Sequence, residues 1–145
     1  MRELFLMVLL TTMSASASAE WVKLGSFEQY TLYAQPDTIN KTGNIVNMFH
    51  LYDLNKIDEL SGKEFRSVVS KASYNCRNVE SRMLSANAYA GNMAKNVETL
   101  RGAKIINRRG GRKISTISEP GKWKPIMSGS AEELLLKFAC EGVRK

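Results

Sequence analysis

Apolar residues in this chain recur in short bursts of period two, and clusters of Gly, Pro, Asn and Ser separate the bursts. That pattern predicts strands and turns rather than a succession of helices. Trp21-Val22-Lys23-Leu24 predicts a first short strand ended by Gly25-Ser26, and residues 30–34 (Tyr-Thr-Leu-Tyr-Ala) predict a second, stopped by Pro36-Asp37. Residues 40–44 read as a turn. Residues 45–54 predict a long strand, with Val46, Met48, His50 and Tyr52 on one face and Ile45, Asn47, Phe49, Leu51 and Asp53 on the other. Both faces are substantially apolar, which suits a strand inside a sheet rather than at its edge.

Residues 56–63 read as a polar loop ending in Ser61-Gly62. Residues 65–76 predict the next strand, whose alternation carries Cys76 inward. Residues 79–89 tolerate a helix by propensity through Arg82, Met83, Leu84 and Ala86. Their position just after a strand favours instead a second strand folding back as a hairpin. Residues 92–120 are broken by Gly102, Gly110 and Gly111 and carry no clear period. Residues 123–127 predict a short extended piece, because Pro125 holds its neighbour out of the helical region.

Residues 130–141 carry the strongest helix signal. Ser130 can cap the N-terminus, and Glu132 and Glu133 sit in the first turn where the helix dipole favours acid. Ser130-Ala131-Glu132-Glu133 fits a capping box. Leu134, Leu135, Phe138 and Ala139 form the expected apolar stripe, and Gly142 is expected to stop the helix. The predicted fold is α+β: a mainly antiparallel sheet of about five to six strands with a C-terminal helix.

Residues 1–19 have the build of a secretory signal, with Arg2 at the start, an apolar run over residues 4–10 and Ala17-Ser18-Ala19 as a small-x-small cleavage site. The apolar run is too short to cross a bilayer, which takes roughly 20 residues. The mature chain is therefore expected to be one domain, residues 20–145, with no transmembrane segment, exported to the periplasm, the cell surface or the medium. Neither cysteine lies at the cleavage site, so a lipid-modified N-terminus is not expected. In an oxidising compartment the two cysteines of the chain, Cys76 and Cys140, are expected to form a disulfide. The bridge would tie the helix end to the end of the strand over residues 65–76. Closing a loop of about 65 residues contributes roughly 4 kcal/mol in the chain-entropy account.

The Trp21 strand, the strand ending Ser73-Tyr74-Asn75-Cys76, the Trp123-Lys124-Pro125-Ile126 piece with Ser128-Gly129-Ser130, and the helix ending Phe138-Ala139-Cys140 together resemble the surface-adhesin protein E family of Gram-negative bacteria. The resemblance spans most of residues 20–145. It implies a small antiparallel-sheet protein with one helix and an intrachain disulfide, exported across the inner membrane. It also implies host matrix proteins as partners and a capacity to form homodimers.

Catalytic and metal-binding patterns are weak. The single histidine, His50, lies in a predicted strand and is expected to be a satisfied sheet residue rather than a metal ligand, since a zinc site takes three or four ligands. Ser128-Gly129-Ser130 is a turn and a helix cap, and no Gly-x-Ser-x-Gly nucleophile turn occurs. Arg108-Arg109-Gly110-Gly111-Arg112-Lys113 lacks the Gly-Lys-Ser/Thr ending of a phosphate loop. Asp58-Glu59 and Glu132-Glu133 are sequence neighbours, not acids facing one another across a cleft. No enzyme activity and no cofactor are expected.

Charge gives the one feature with binding character. The chain carries a formal net charge of +7, which draws it to anionic partners. Arg101, Lys104, Arg108, Arg109, Arg112 and Lys113 are the candidate polyanion-binding residues, on what is expected to be a glycine-rich mobile loop. Guanidinium groups donate to phosphate or sulfate in a planar fork. Aromatics are not interleaved with the basic residues, so specific nucleic-acid binding is not expected. The expected function is a non-enzymatic exported binding protein contacting a host or envelope protein or a polyanion. The alternative is a periplasmic inhibitor or an envelope-assembly module.

Overall fold

The computed structural model describes residues 20–95, 98–108, 111–116 and 120–141. The leader expected over residues 1–19, Arg109 and Gly142 lie outside the described residues.

Strands β1 (Val22–Ser26), β2 (Tyr30–Thr42), β3 (Ile45–Leu60), β4 (Lys63–Asn75), β5 (Glu80–Tyr89) and β6 (Glu98–Leu100) pair antiparallel in chain order as one sheet. β3 takes the interior place its two apolar faces require, between β2 and β4. Residues 80–89 are a strand and Val79 belongs to the turn before it: β5 turns back on β4 from Asn75↔Glu80 to Ser67↔Tyr89. The outer edge of β5 is paired twice, by β6 at one end and by the two-residue β9 (Lys124–Pro125) at the other. β7 (Ala103–Arg108) and β8 (Gly111–Thr116) form a separate two-stranded sheet.

Four expectations are corrected. Pro36 does not end β2, which continues to Thr42 with its register against β3 broken between Gln35 and Asn40. A proline cannot donate to the ladder. The Thr38 hydroxyl bridges the gap, donating to the Gln35 carbonyl at 2.7 Å and accepting from the Phe49 N–H at 2.9 Å. Residues 56–60 are not a loop: β3 extends to Leu60 and pairs onward with β4 through Glu59↔Glu64 and Leu60↔Lys63. The loop is only Ser61-Gly62, both with positive φ (53° and 74°), as a two-residue type I′ hairpin turn demands. The described part of the basic segment is paired strand rather than loop, with Ile105↔Ile114 and Ile106↔Lys113 in register across β7 and β8. The helix stripe is also rotated, and Leu134 is 38 % exposed while Leu136 is buried.

The one α-helix among the described residues, α1 (Ala131–Glu141), lies across one face of the sheet. Leu135, Leu136 and Ala139 pack with Leu32, Ala34, Val46, Met48, Ala72 and Tyr74. Each fully buried leucine of that set stabilises the fold by about 2 kcal/mol. The helix starts as its sequence requires, the Ser130 hydroxyl accepting from the Glu133 N–H at 3.3 Å. The reciprocal bond runs one residue further back than in a capping box: the Glu133 carboxylate accepts from the Gly129 N–H at 2.7 Å. Glu133 also meets Lys137 at 2.7 Å one turn on. At the far end Cys140 is bonded to Cys76 across 64 residues. A second apolar cluster of Leu54, Phe65, Val68, Ala86 and Ala88 lies beyond the helix.

Candidate functional site

Parity along β3 builds the first candidate site. Val46, Met48, His50 and Tyr52 alternate onto the face under α1, and the register sets Ala34 and Ser70 beside His50. His50 is therefore buried, at 2 % exposure, away from water. Burial holds its pKa down to about 3, so the imidazole is neutral. Its Nδ1 lies 3.3 Å from the hydroxyl of Tyr74, which is 1 % exposed. Burial, then the proximity of Tyr52 and Glu132, pushes the Tyr74 phenol well above its ordinary range, so it keeps its proton. The Tyr52 ring meets the His50 ring edge-on at 5.2 Å.

The other ring nitrogen of His50, Nε2, is buried and has no hydrogen-bond partner among the described residues. The expectation of a satisfied sheet histidine thus holds for one nitrogen only. His50 and Tyr74 line a cavity of about 110 Å³ that runs between the sheet face and the start of α1. Leu135, Ala72 and Met83 give it apolar wall, while Lys122, Lys124 and Glu132 stand exposed around it. Glu132 is engaged by Ser81, whose hydroxyl donates to Oε2 at 3.2 Å. The chain reaches this place because Gly121 donates its N–H to the Met83 carbonyl at 2.8 Å and β9 then pairs with β5. Sequence reasoning missed the cavity. The available signal was the parity of His50 with Val46 and Met48, which already places an ionisable ring on the apolar face.

Five of the six candidate polyanion-binding residues lie on or beside the second sheet, and Arg109 lies outside the described residues. Arg101 stands in the turn before β7, Lys104 and Arg108 lie on β7, and Arg112 and Lys113 lie on β8. The pairs Ile106↔Lys113 and Arg108↔Gly111 give Lys104, Arg108 and Lys113 register positions of one parity and Arg112 the other. The hairpin is fastened at its base, where Asn87 of β5 accepts from the Gly102 N–H at 2.9 Å.

Among the described residues an antiparallel sheet with one α-helix clasped to it by a disulfide defines a class of small α+β modules. The profile of surface-adhesin protein E matches residues 21–105, and the chain belongs to that family. Membership implies an adhesin-like protein exported to the cell surface. Among solved structures, crystal form II of Haemophilus influenzae protein E is similar over 81 % of this chain and 91 % of its own, with a TM-score of 0.57 and 12 % identity. A second structure of Haemophilus influenzae protein E is similar over 81 % of this chain and 88 % of its own (TM-score 0.55, 13 % identity). Protein E from non-typeable Haemophilus influenzae covers 86 % of each chain at a TM-score of 0.53 and 14 % identity. At such identities the likeness is one of fold. No curated protein sequence matches. No helix among the described residues is long and apolar enough to cross a membrane.

Proposed function

We propose that this chain is a non-enzymatic binding protein of the cell envelope that engages an anionic partner, a sulfated glycan or an acidic protein surface, through the β7–β8 hairpin. The observation that carries the reading is the concentration of Arg101, Lys104, Arg108, Arg112 and Lys113 on and beside one hairpin, with Arg109 next to Arg108 in the sequence. A hairpin holds its backbone positions at fixed spacing, so it loses less conformational entropy on binding than a disordered basic tail does. Near an anionic surface each arginine contributes about 1 kcal/mol, an attraction that salt screens.

The test is solid-phase binding to heparin and to matrix proteins, for the wild type beside an Arg108→Ala/Arg109→Ala/Arg112→Ala variant. The expected result is saturable binding that weakens with added salt and falls about 100-fold in the variant, as three such contacts imply. Equal binding by the variant, or none by the wild type, overturns the reading. Surface labelling of intact cells, with periplasmic extracts as control, separates a surface-displayed binder from a periplasmic module.

A further inference from the structure

His50 lines the cavity and carries a buried ring nitrogen, Nε2, with no hydrogen-bond partner among the described residues. Proton accounting makes it a donor. The neutral imidazole carries one N–H, and the Tyr74 phenol carries one O–H. If the phenol donates to Nδ1, the imidazole hydrogen sits on Nε2 and one buried donor is left unpaired. If Nδ1 donates instead, the phenol proton and the Nε2 lone pair are both left without a partner among the described residues. One orphan is less costly than two, so the first arrangement holds and Nε2–H is the orphan. A buried donor left unmade costs about 1–3 kcal/mol, which an occupant carrying an oxygen acceptor recovers.

The walls and mouth restrict what that occupant is. A volume of about 110 Å³ compares with roughly 10–15 Å³ for a single water on the same kind of measure, so several heavy atoms fit. Ala72, Met83 and Leu135 suit a short carbon skeleton. Lys122, Lys124 and Arg82 line the cavity against one acid, Glu132, already engaged by Ser81. The formal balance favours an anion. We propose that this cavity is a binding site for a small organic carboxylate, an oxygen of which accepts from His50 Nε2–H while Lys122 and Lys124 meet its charge at the mouth. The site is separate from the basic hairpin and stands or falls independently of it.

The test is NMR of the intact, disulfide-bonded protein labelled with ¹⁵N at histidine. Sodium lactate and sodium pyruvate are titrated at constant ionic strength, with inorganic phosphate and sodium chloride as controls. The free protein is expected to show an Nε2–H tautomer. Its Nε2 signal should shift saturably with lactate or pyruvate and not with chloride, with about tenfold weaker binding in a Lys122→Gln/Lys124→Gln variant. Both lysines are exposed, so that variant keeps the fold. An Nδ1–H tautomer, a linear drift shared by all four salts, a response to phosphate alone, or wild-type affinity in the double variant overturns the proposal.

Discussion

The hydroxyl of Tyr74 and Nδ1 of His50 lie 3.3 Å apart beneath the terminal helix, and neither side chain is more than 2 % exposed. The burial of His50 makes the protein pH-sensitive in a defined direction. The pKa of His50 is about 3 in the folded chain and near 6.5 in the unfolded one. Between those values the unfolded chain binds a proton that the folded chain does not, so stability rises with pH there. The contribution is complete above pH 6.5 and is lost as the pH falls from 6.5 towards 3, by up to about 1.4 kcal/mol per pH unit. Urea unfolding of wild type and His50→Phe at several pH values from 7 down to 4 checks this. Wild type should lose stability relative to His50→Phe as acid is added; a difference that stays constant with pH would show that His50 titrates alike in the folded and the unfolded chain.

Much of this fold was legible in the sequence because period-two alternation and cap chemistry are local. Val46, Met48 and His50 revealed the inner face of β3, and Ser130 with Glu133 revealed the helix start. The errors arose where a distant partner decides. Residues 56–60 are polar, and only the β4 strand beside them makes them extended. Pro36 reads as a stop, and only the Thr38 hydroxyl lets the strand continue. The basic residues could be listed from the sequence, but their hairpin depends on β7 pairing with β8 in the register Ile105↔Ile114. The cavity was illegible because its walls come from β3, β4, β5, the residues around Gly121 and the helix, and only the folded chain brings these together.

Removing the clasp tests how far the helix depends on it. Cys76–Cys140 spans 64 residues, and a loop of that length stabilises by roughly 4 kcal/mol in the chain-entropy account. A Cys76→Ala/Cys140→Ala variant should unfold at correspondingly lower urea. Leu135, Leu136 and Ala139 still bury the helix, so its circular-dichroism signal should persist in the absence of denaturant. Proteolysis should then begin within the last turn. Loss of all cooperative unfolding in the variant would show that the apolar contacts alone cannot hold the helix on the sheet.

Asp53 holds a strained turn. Met93 and Ala94 are consecutive non-glycine residues with φ of 55° and 56°, a conformation that costs roughly 1–2 kcal/mol per residue. Asp53 Oδ1 accepts from the Met93 N–H at 2.7 Å and from Asn92 Nδ2 at 3.0 Å, while Ser67 Oγ accepts from the Ala94 N–H at 3.0 Å. Hydrogen bonds to a carboxylate contribute about 1.5–3 kcal/mol. Asp53→Ala should therefore destabilise by about 2 kcal/mol and speed amide exchange at Met93 well above that at Ala72 in the core. Unchanged exchange at Met93 would mean that the turn is held by Ser67 alone.

The Ser61-Gly62 turn offers a gain rather than a loss. Leu60 pairs with Lys63, so the loop has two residues, and both have positive φ, 53° at Ser61 and 74° at Gly62. Type I′ geometry prefers Asn-Gly, because asparagine tolerates the left-handed region better than other side chains do. Ser61 is exposed, so little packing opposes the change. Ser61→Asn should raise stability by about 0.5 kcal/mol, whereas Gly62→Ala should lower it by about 1 kcal/mol by forcing a Cβ into the same region. Nothing lies within 4 Å of a Cβ built at Gly62, so that loss would report backbone strain and not a clash. The two variants differ in sign at adjacent positions, and thermal unfolding side by side reads the difference directly. A gain from Gly62→Ala would show that the tip of the β3–β4 hairpin does not hold the I′ form in solution.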